Sequence, residues 1–282
     1  MADDPRADDP KIDPKIRDGP MIRVGVFGAG GRMGCTVCRA VVDAPGMELV
    51  AAVDPHHAGI DLDQLGMHGT GLQVAARPQA LLDARADVAI DFTVIDAARE
   101  NLAWCADHGV HAVVGTTGFS EEELEALGAR FADAAANAVI VPNFAIGAVL
   151  MMRFAELAAP YFETVEVVEL HHDEKVDAPS GTAVSTARRI AAASKDWGDD
   201  PTRAVVAEGA RGGRVDGIPV HSLRVRGMVA HQEVLFGTTG QTLSIRHDTY
   251  DRSSFMPGVL LAAAKVAELP GLTVGLERIL GL

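Results

Sequence analysis

The densest run of chemistry-bearing side chains in this 282-residue chain spans residues 169–183: Glu-Leu-His-His-Asp-Glu-Lys-Val-Asp-Ala-Pro-Ser-Gly-Thr-Ala. An imidazole exchanges a proton near neutral pH, so His171 and His172 suit acid–base work. Lys175 supplies a cation able to polarise an imine or a carboxylate and to give up a proton. Ser180, Gly181 and Thr182 stand where a helix is expected to begin, and hydroxyls, first-turn N–H groups and the helix dipole together form an anion site. A metal centre is the rival reading. The H-E-x-x-H spacing on a helix is absent, so no metal is expected. A plain solvated loop accounts for the charges, but less well for the convergence of two imidazoles, a cation and an anion-type helix start.

A second chemical signal comes early. Val26-Phe27 runs into Gly28-Ala29-Gly30-Gly31-Arg32-Met33-Gly34. Glycines at a strand-to-helix turn let the backbone approach a pyrophosphate, and the following helix points its N–H groups at that anion. Met33 occupies the third glycine position of G-x-G-x-x-G, whereas Gly28, Gly31 and Gly34 keep a G-x-x-G-x-x-G spacing. The plainer reading is a tight turn without a ligand. The setting between strand and helix, with Asp54 ending the next strand, favours a dinucleotide. A carboxylate at Asp54 can accept from ribose hydroxyls, whereas an adenosine 2′-phosphate would find only Arg32 and the His56-His57 pair. NADH is therefore expected, with NADPH tolerated. Asp54 followed by Pro55 also reads as an ordinary strand-end turn. Two further loops leave strand ends: Gly115-Thr116-Thr117-Gly118 and Pro142-Asn143-Phe144-Ala145. Their small and hydroxylated residues suit a nicotinamide ribose and carboxamide, a reading that rests on position.

The elements that must place these groups alternate. Strands are expected at residues 22–27, 48–53, 88–90, 112–114 and 139–141, with helices at 33–43, 96–108 and 121–135, the last capped by Ser120. This β-α-β order predicts an α/β fold whose first half is a Rossmann-like, doubly wound parallel sheet. After residue 145 the style changes. A helix is expected at 148–159, a strand at 164–170, a helix at 182–194, and three extended segments between 219 and 248. Together they predict a second, α+β domain with a mixed or antiparallel sheet. The stretches 256–268 and 271–280 look helical and are expected to return to the first domain. The expected domains are 21–145 completed by 253–282, and 146–252 for substrate binding and oligomerisation.

Bulk composition sets limits. With 25 Lys and Arg against 39 Asp and Glu, the net charge is −14, which argues against a nucleic-acid surface. Three cysteines argue against a disulfide scaffold. Cys35 and Cys38 form a C-x-x-C, but they fall in an apolar helical pattern without a second pair to complete a zinc site, so they read as small buried residues. No apolar run is long enough for a membrane span, and residues 1–20, rich in Asp-Pro, lack the apolar core of a signal peptide. They are expected to form a flexible arm on a cytoplasmic protein.

Beyond these local readings, HH-x-x-K-x-D-A-P-S-G-T-A, together with VGVFGAGGRMG, IDFT (90–93), VVGTTGF (113–119), PNFAIG (142–147), GIPVHSLRVRGMVAHQEVLFG and RSSFMPGVLLA, resembles the 4-hydroxy-tetrahydrodipicolinate reductase family, long called dihydrodipicolinate reductases. The resemblance covers nearly everything after residue 20. It implies NAD(P)H-dependent reduction of a small cyclic dicarboxylate in lysine and diaminopimelate biosynthesis. It further implies that residues 28–33 hold the pyrophosphate and Asp54 the ribose, with Gly115, Thr116, Thr117 and residues 142–145 on the nicotinamide side. His171 would be the catalytic proton donor or acceptor and Lys175 a second proton donor, with His172, Ser180, Gly181 and Thr182 holding substrate carboxylates. Domain closure about residues 143–150 and 250–255 is expected to exclude water. Asp173 and Glu174 depart from the less acidic residues expected before the lysine. The apolar strands of the second sheet suit a homo-oligomer, a dimer or a tetramer, with the tetramer expected. Two alternatives are an aspartate-dehydrogenase-like oxidoreductase and a dinucleotide sensor without turnover. An acyl-enzyme semialdehyde dehydrogenase would need a thiolate, and all three cysteines lie in the first half, far from the polar stretch.

Overall fold

The computed structural model describes residues 20–282. The expected arm at 1–20 therefore lies outside the described residues, apart from Pro20. In chain order the strands are β1 (Ile22–Phe27), β2 (Met47–Val53), β3 (Val88–Asp91), β4 (His111–Val114), β5 (Ala138–Ile140), β6 (Thr164–His171), β7 (Gly213–Val215), β8 (Ile218–Arg224), β9 (Ala230–Thr238), β10 (Gln241–Thr249) and β11 (Leu272–Val274). The main helices are α1 (Arg32–Asp43), α2 (Ile95–His108), α3 (Glu121–Ala132), α4 (Ile146–Ala158), α5 (Gly181–Ala193) and α6 (Met256–Lys265). Contacts divide the chain into two units. One runs to Phe144 and resumes at Phe255–Leu282, and the other is Ala145–Ser254.

The first unit is built on a six-stranded sheet in the order β11-β5-β4-β3-β1-β2, every pairing parallel. Such strands are buried on both faces, which is why they read as near-continuous apolar runs. β1 lies between β2 and β3, so the chain reverses its direction of travel across the sheet beside the β1 turn, where nucleotides bind in open sheets of this kind. Phe27, Leu102, Val114, Phe131 and Ile140 belong to one buried cluster, and Phe27 meets Trp104 edge-on at 6.4 Å. Full burial of each such side chain contributes roughly 1.5–3 kcal/mol.

The second unit carries a five-stranded sheet, β10-β9-β6-β8-β7. β6 runs parallel to β8, and the other pairs are antiparallel. α5 buries Ala183, Thr186, Ala187, Ile190 and Ala191, an i, i+3, i+4, i+7 stripe whose small residues let the helix lie close to Val165, Val167, Val220 and Phe236. The α/β class and the two kinds of sheet agree with the expectation from sequence.

One expectation is corrected. The tail from Gly271 is not helical throughout: Leu272–Val274 forms β11, paired parallel with β5, and only Glu277–Leu280 is helical. Gly271 (φ 75°) and Gly275 (φ 90°) bracket the strand in left-handed conformations that end a helix. β-branched Thr273 and Val274 suit the sheet edge that β5 offers.

Candidate active site

In the first unit the turn after β1 is tied down by its own backbone. Gly28 and Ala29 donate to the Val53 carbonyl at 2.8 and 3.2 Å, and Gly31 donates to Gly28 O at 2.9 Å. Gly28 sits at φ 72°. A Cβ at Gly34 would lie 1.9 Å from Gly28 O, so the first turn of α1 backs directly onto the loop and the third glycine belongs at 34 rather than at 33. Gly31 is the N-cap of α1 and brings no side-chain acceptor. The first-turn amides of Arg32 and Met33 therefore keep their hydrogen-bonding capacity for an anion. A glycine cradle with an uncapped helix start fits a nucleotide diphosphate.

Asp54 follows β2 and is 6% exposed. Its Oδ2 accepts from Gly30 N at 3.1 Å and its Oδ1 from His56 N at 3.0 Å. His57 Nδ1 lies 3.0 Å from Oδ2 but off the hydrogen-bond direction, and its ring covers Gly30, where a Cβ would sit 2.2 Å from it. The carboxylate thus shapes the glycine turn from behind, a role beyond the ribose contact expected of it.

The loops after β3, β4 and β5 also meet. Buried Asp91 accepts from Thr93 N, Thr93 Oγ1 and Asn101 Nδ2 at 2.6–2.7 Å, while burial pushes its carboxyl above the ordinary range. Thr116 is buried and donates to Thr93 O at 2.8 Å, so its hydroxyl is spent on the loop, whereas Thr117 is exposed. The Phe92 ring fills the space a side chain at Gly115 would need, and it packs against Phe144 with centroids 5.6 Å apart. Pro142 is exposed, Asn143 half-buried, and Ala145 is the N-cap of α4. Asp91 and Phe92 were not singled out from sequence.

Cys35 and Cys38 are free thiols on α1, and burial pushes Cys38 up to about 12. Among the described residues no group of three or more His, Cys, Asp or Glu side chains is placed to hold a metal, and no helix is long and apolar enough to cross a membrane.

In the second unit the polar stretch folds as a strand end, a loop and a helix start. His171 is the last residue of β6, and Ser180 is the N-cap of α5, its Oγ accepting from Ala183 N at 3.2 Å. Glu169 joins the two. It is fully buried. Its Oε2 lies 2.5 Å from His171 Nδ1, and its Oε1 accepts from Ser180 N at 3.2 Å. Arg224, at the end of β8, grips both oxygens at 2.9 Å and donates through Nη2 to Asp177 O at 2.6 Å. Burial alone would raise the Glu169 carboxyl. Hydrogen bonds from His171, Arg224 and Ser222 outweigh it and hold the group at about 2. The Ser180 N–H, expected at the anion site, is thus committed to Glu169. Gly181 is exposed, with open space where a side chain would stand.

His172 is exposed and Lys175 half-buried. Lys175 Nζ is 2.7 Å from Asp177 Oδ1, and Arg226 Nε is 2.7 Å from Asp173 Oδ2. Sequence reading included Glu169 and Asp177 in the polar run without giving either a role, and missed Arg224 and Arg226 as parts of this cluster. One signal was present: in β6 the inward phase runs Val165, Val167, Glu169, so a carboxylate sits on an apolar face.

Similar proteins point to a family. Family models described as dihydrodipicolinate reductase, N-terminus and C-terminus, match residues 22–144 and 147–280. The 4-hydroxy-tetrahydrodipicolinate reductase of Mycobacterium sp. (strain KMS) is 53% identical over 263 residues, covering 93% of this chain and all of the relative. That of Corynebacterium urealyticum is 50% identical over 266 residues with the same coverage. A solved structure described as dipicolinate-bound dihydrodipicolinate reductase from Paenisporosarcina sp. TG-14 superposes with a TM-score of 0.80 at 41% identity, covering 92% of this chain and 99% of that one. A parallel sheet with a glycine turn, a mixed sheet ending in a His-Glu-Arg cluster, and relatives matched along nearly their whole length lead to one assignment: the chain belongs to the dihydrodipicolinate reductase family.

Proposed function

We propose that the chain reduces 4-hydroxy-tetrahydrodipicolinate to tetrahydrodipicolinate, with release of water, in lysine and diaminopimelate biosynthesis. The observation that carries this reading is the fold of residues 171–182, which gathers an imidazole, an ammonium and a helix start in one loop of the second unit. The substrate class is supported by the dipicolinate named in the related structure.

A bound NADH or NADPH supplies the hydride. The amides of Arg32 and Met33 and the turn at Gly28, Ala29, Gly30 and Gly31 would hold its diphosphate. Asp54 would take the adenosine ribose with the capacity its loop bonds leave unused, which leans to NADH while NADPH is accepted. Gly115, Thr116, Thr117 and residues 142–145 would line the nicotinamide side. In the second unit, His172, Ser180, Gly181 and Thr182 would hold the two carboxylates of the substrate. His171 or Lys175 delivers the proton that balances the hydride, and Lys175 offsets charge on the ring as it is reduced. We further place the enzyme in the cytoplasm as a homotetramer. The outward face of the second sheet, with Leu223 38% and Leu235 37% exposed, supports such assembly.

The test is steady-state oxidation of NADH and of NADPH with the condensation product of pyruvate and aspartate semialdehyde as substrate. Turnover with either cofactor supports the reading. Nucleotide binding without turnover would return the chain to the sensor class.

A further inference from the structure

Glu169 has no counterpart among the groups assigned so far to substrate or cofactor. Among the described residues it is the only charged one of the largest fully buried side chains, and it lies two residues before the end of β6, the central strand of its sheet. A buried carboxylate is expensive unless every lone pair is answered. Here the answers come from several elements: His171 Nδ1 on β6, the Arg224 guanidinium and the Ser222 hydroxyl on β8, and the Ser180 N–H at the start of α5. Across β9, the register partner is Gln232, a neutral residue whose Nε2 donates to Thr186 Oγ1 on α5. Arg224 is thus the fixed cation of the cluster and His171 its one titratable partner. A carboxylate so held accepts hydrogen bonds and offers none.

We propose that Glu169, clamped by Arg224, is a positioning residue that keeps a proton on Nδ1 of His171 and thereby makes Nε2 the atom that exchanges a proton with substrate. The proposal rests on the reductase reading for its consequence, but the tautomer itself is a property of the resting protein. An imidazole has two nitrogens, and the partner of one decides the role of the other. With Nδ1–H always committed to Glu169, neutral His171 carries its lone pair on Nε2, and the cation gives up its proton from Nε2. The same carboxylate binds Ser180 N, and Arg224 also binds Asp177 O, so one clamp sets the imidazole and both ends of the segment that carries Asp177 and the α5 start. Losing it alters proton transfer more than ground-state affinity.

The experiment has two arms. In the first, histidine labelled with 15N in the full-length protein reports the tautomer, the His171 signals being assigned by their loss in His171→Gln. Neutral His171 in the Nδ1–H form is expected, and the Nε2–H form in the wild type would overturn the proposal. In the second, Glu169→Gln presents an amide that can donate to Nδ1 and so reverse the tautomer. A fall in kcat of at least about tenfold is expected with KM for substrate changed by less than about threefold, together with a displaced limb of the pH–rate profile. Glu169→Asp, which keeps the charge, is expected to recover part of the rate and the wild-type profile. An unchanged kcat in Glu169→Gln, or a loss carried by KM alone, would overturn the proposal while leaving the reductase reading intact. Absence of turnover in the wild type would overturn the reductase reading instead, and the first arm would still decide the tautomer.

Discussion

The Lys175 ammonium is held by Asp177, with 2.7 Å between Nζ and Oδ1. Asp173, which precedes it in the loop, is engaged by Arg226 instead. The acidic departure at Asp173 therefore reaches the lysine less than its place in the sequence suggests. Asp177 itself is pulled below the usual carboxylate range, chiefly by the hydrogen bond from Lys175. Under the proposed function it would compete with an incoming substrate carboxylate for the same ammonium.

Two variants separate these carboxylates. Asp177→Asn is expected to lower KM for the dicarboxylate several-fold, because the rival anion is gone while the backbone carbonyl that Arg224 grips stays. Asp173→Asn is expected to move KM by less than about twofold, the scale of an exposed ion pair. Steady-state kinetics on both decide. A raised KM in Asp177→Asn would mean that Asp177 positions Lys175 rather than competing for it.

Lys175→Ala is expected to lower kcat by at least about a hundredfold, the scale of a lost acid or electrostatic group at the reacting centre. The wild-type fold should persist, since among the described residues the ammonium is paired with Asp177, which is exposed. Single-turnover measurement of nicotinamide oxidation gives the number. A near-normal rate would remove Lys175 from the chemistry.

The glycine turn makes a graded prediction. Gly34→Ala drives a Cβ to 1.9 Å from Gly28 O, a backbone atom that cannot swing aside, whereas Gly31→Ala meets the same oxygen at 3.2 Å. The first variant should lose dinucleotide binding and about 1–3 kcal/mol of stability, the usual cost of overpacking. The second should lose far less of either. Nucleotide titration and thermal unfolding report both. Equal losses would mean that the loop does not rest on α1 as described. Asp54→Ala should weaken both cofactors, because the Gly30 and His56 anchors go with it, and NADH more than NADPH through loss of the proposed ribose contact. Equal losses would leave Asp54 with the anchoring role alone.

Glu169 also sets a pH window. Its folded-state value of about 2 lies below the 4.5 of an unperturbed glutamate. A depressed carboxyl stabilises the fold fully above the unfolded value, and the contribution disappears as pH falls from about 4.5 through about 2. A shift of this size corresponds to something on the order of 3 kcal/mol. Asp177, Asp200 and Asp248 are lowered too and share the window. Comparing urea unfolding of the wild type and Glu169→Gln from pH 7 to pH 3 isolates the Glu169 part. The variant should be less stable at pH 7 and show a shallower loss on acidification; parallel curves would contradict the assignment.

Much of this was legible in the residues. Apolar strand runs, Ser120 as a capping residue, the glycines at 28, 31 and 34 and the polar run at 171–182 each act through local physics, so type and spacing suffice. Ser120 forms a reciprocal capping box with Glu123, as its place before three glutamates suggests. What escaped depends on contacts far apart in sequence. Arg224 reaches Glu169 across 55 residues, and Arg226 reaches Asp173 across 53. No periodicity encodes such pairs. Strand β11 was missed because its three residues belong to a sheet only through β5. The uses of Thr116 and Ser180 N, both turned inward, became visible only once their acceptors were placed.

The most direct measurement of the central claim follows the hydride itself. The wild-type protein would be given NADH carrying deuterium at both C4 positions, together with the condensation product of pyruvate and aspartate semialdehyde, and the ring product weighed by mass spectrometry. The account predicts one deuterium in each molecule of tetrahydrodipicolinate formed, with the balancing proton coming from solvent through His171 or Lys175. A reduced ring without the label, or labelled NADH that stays intact beside the dicarboxylate, would contradict it.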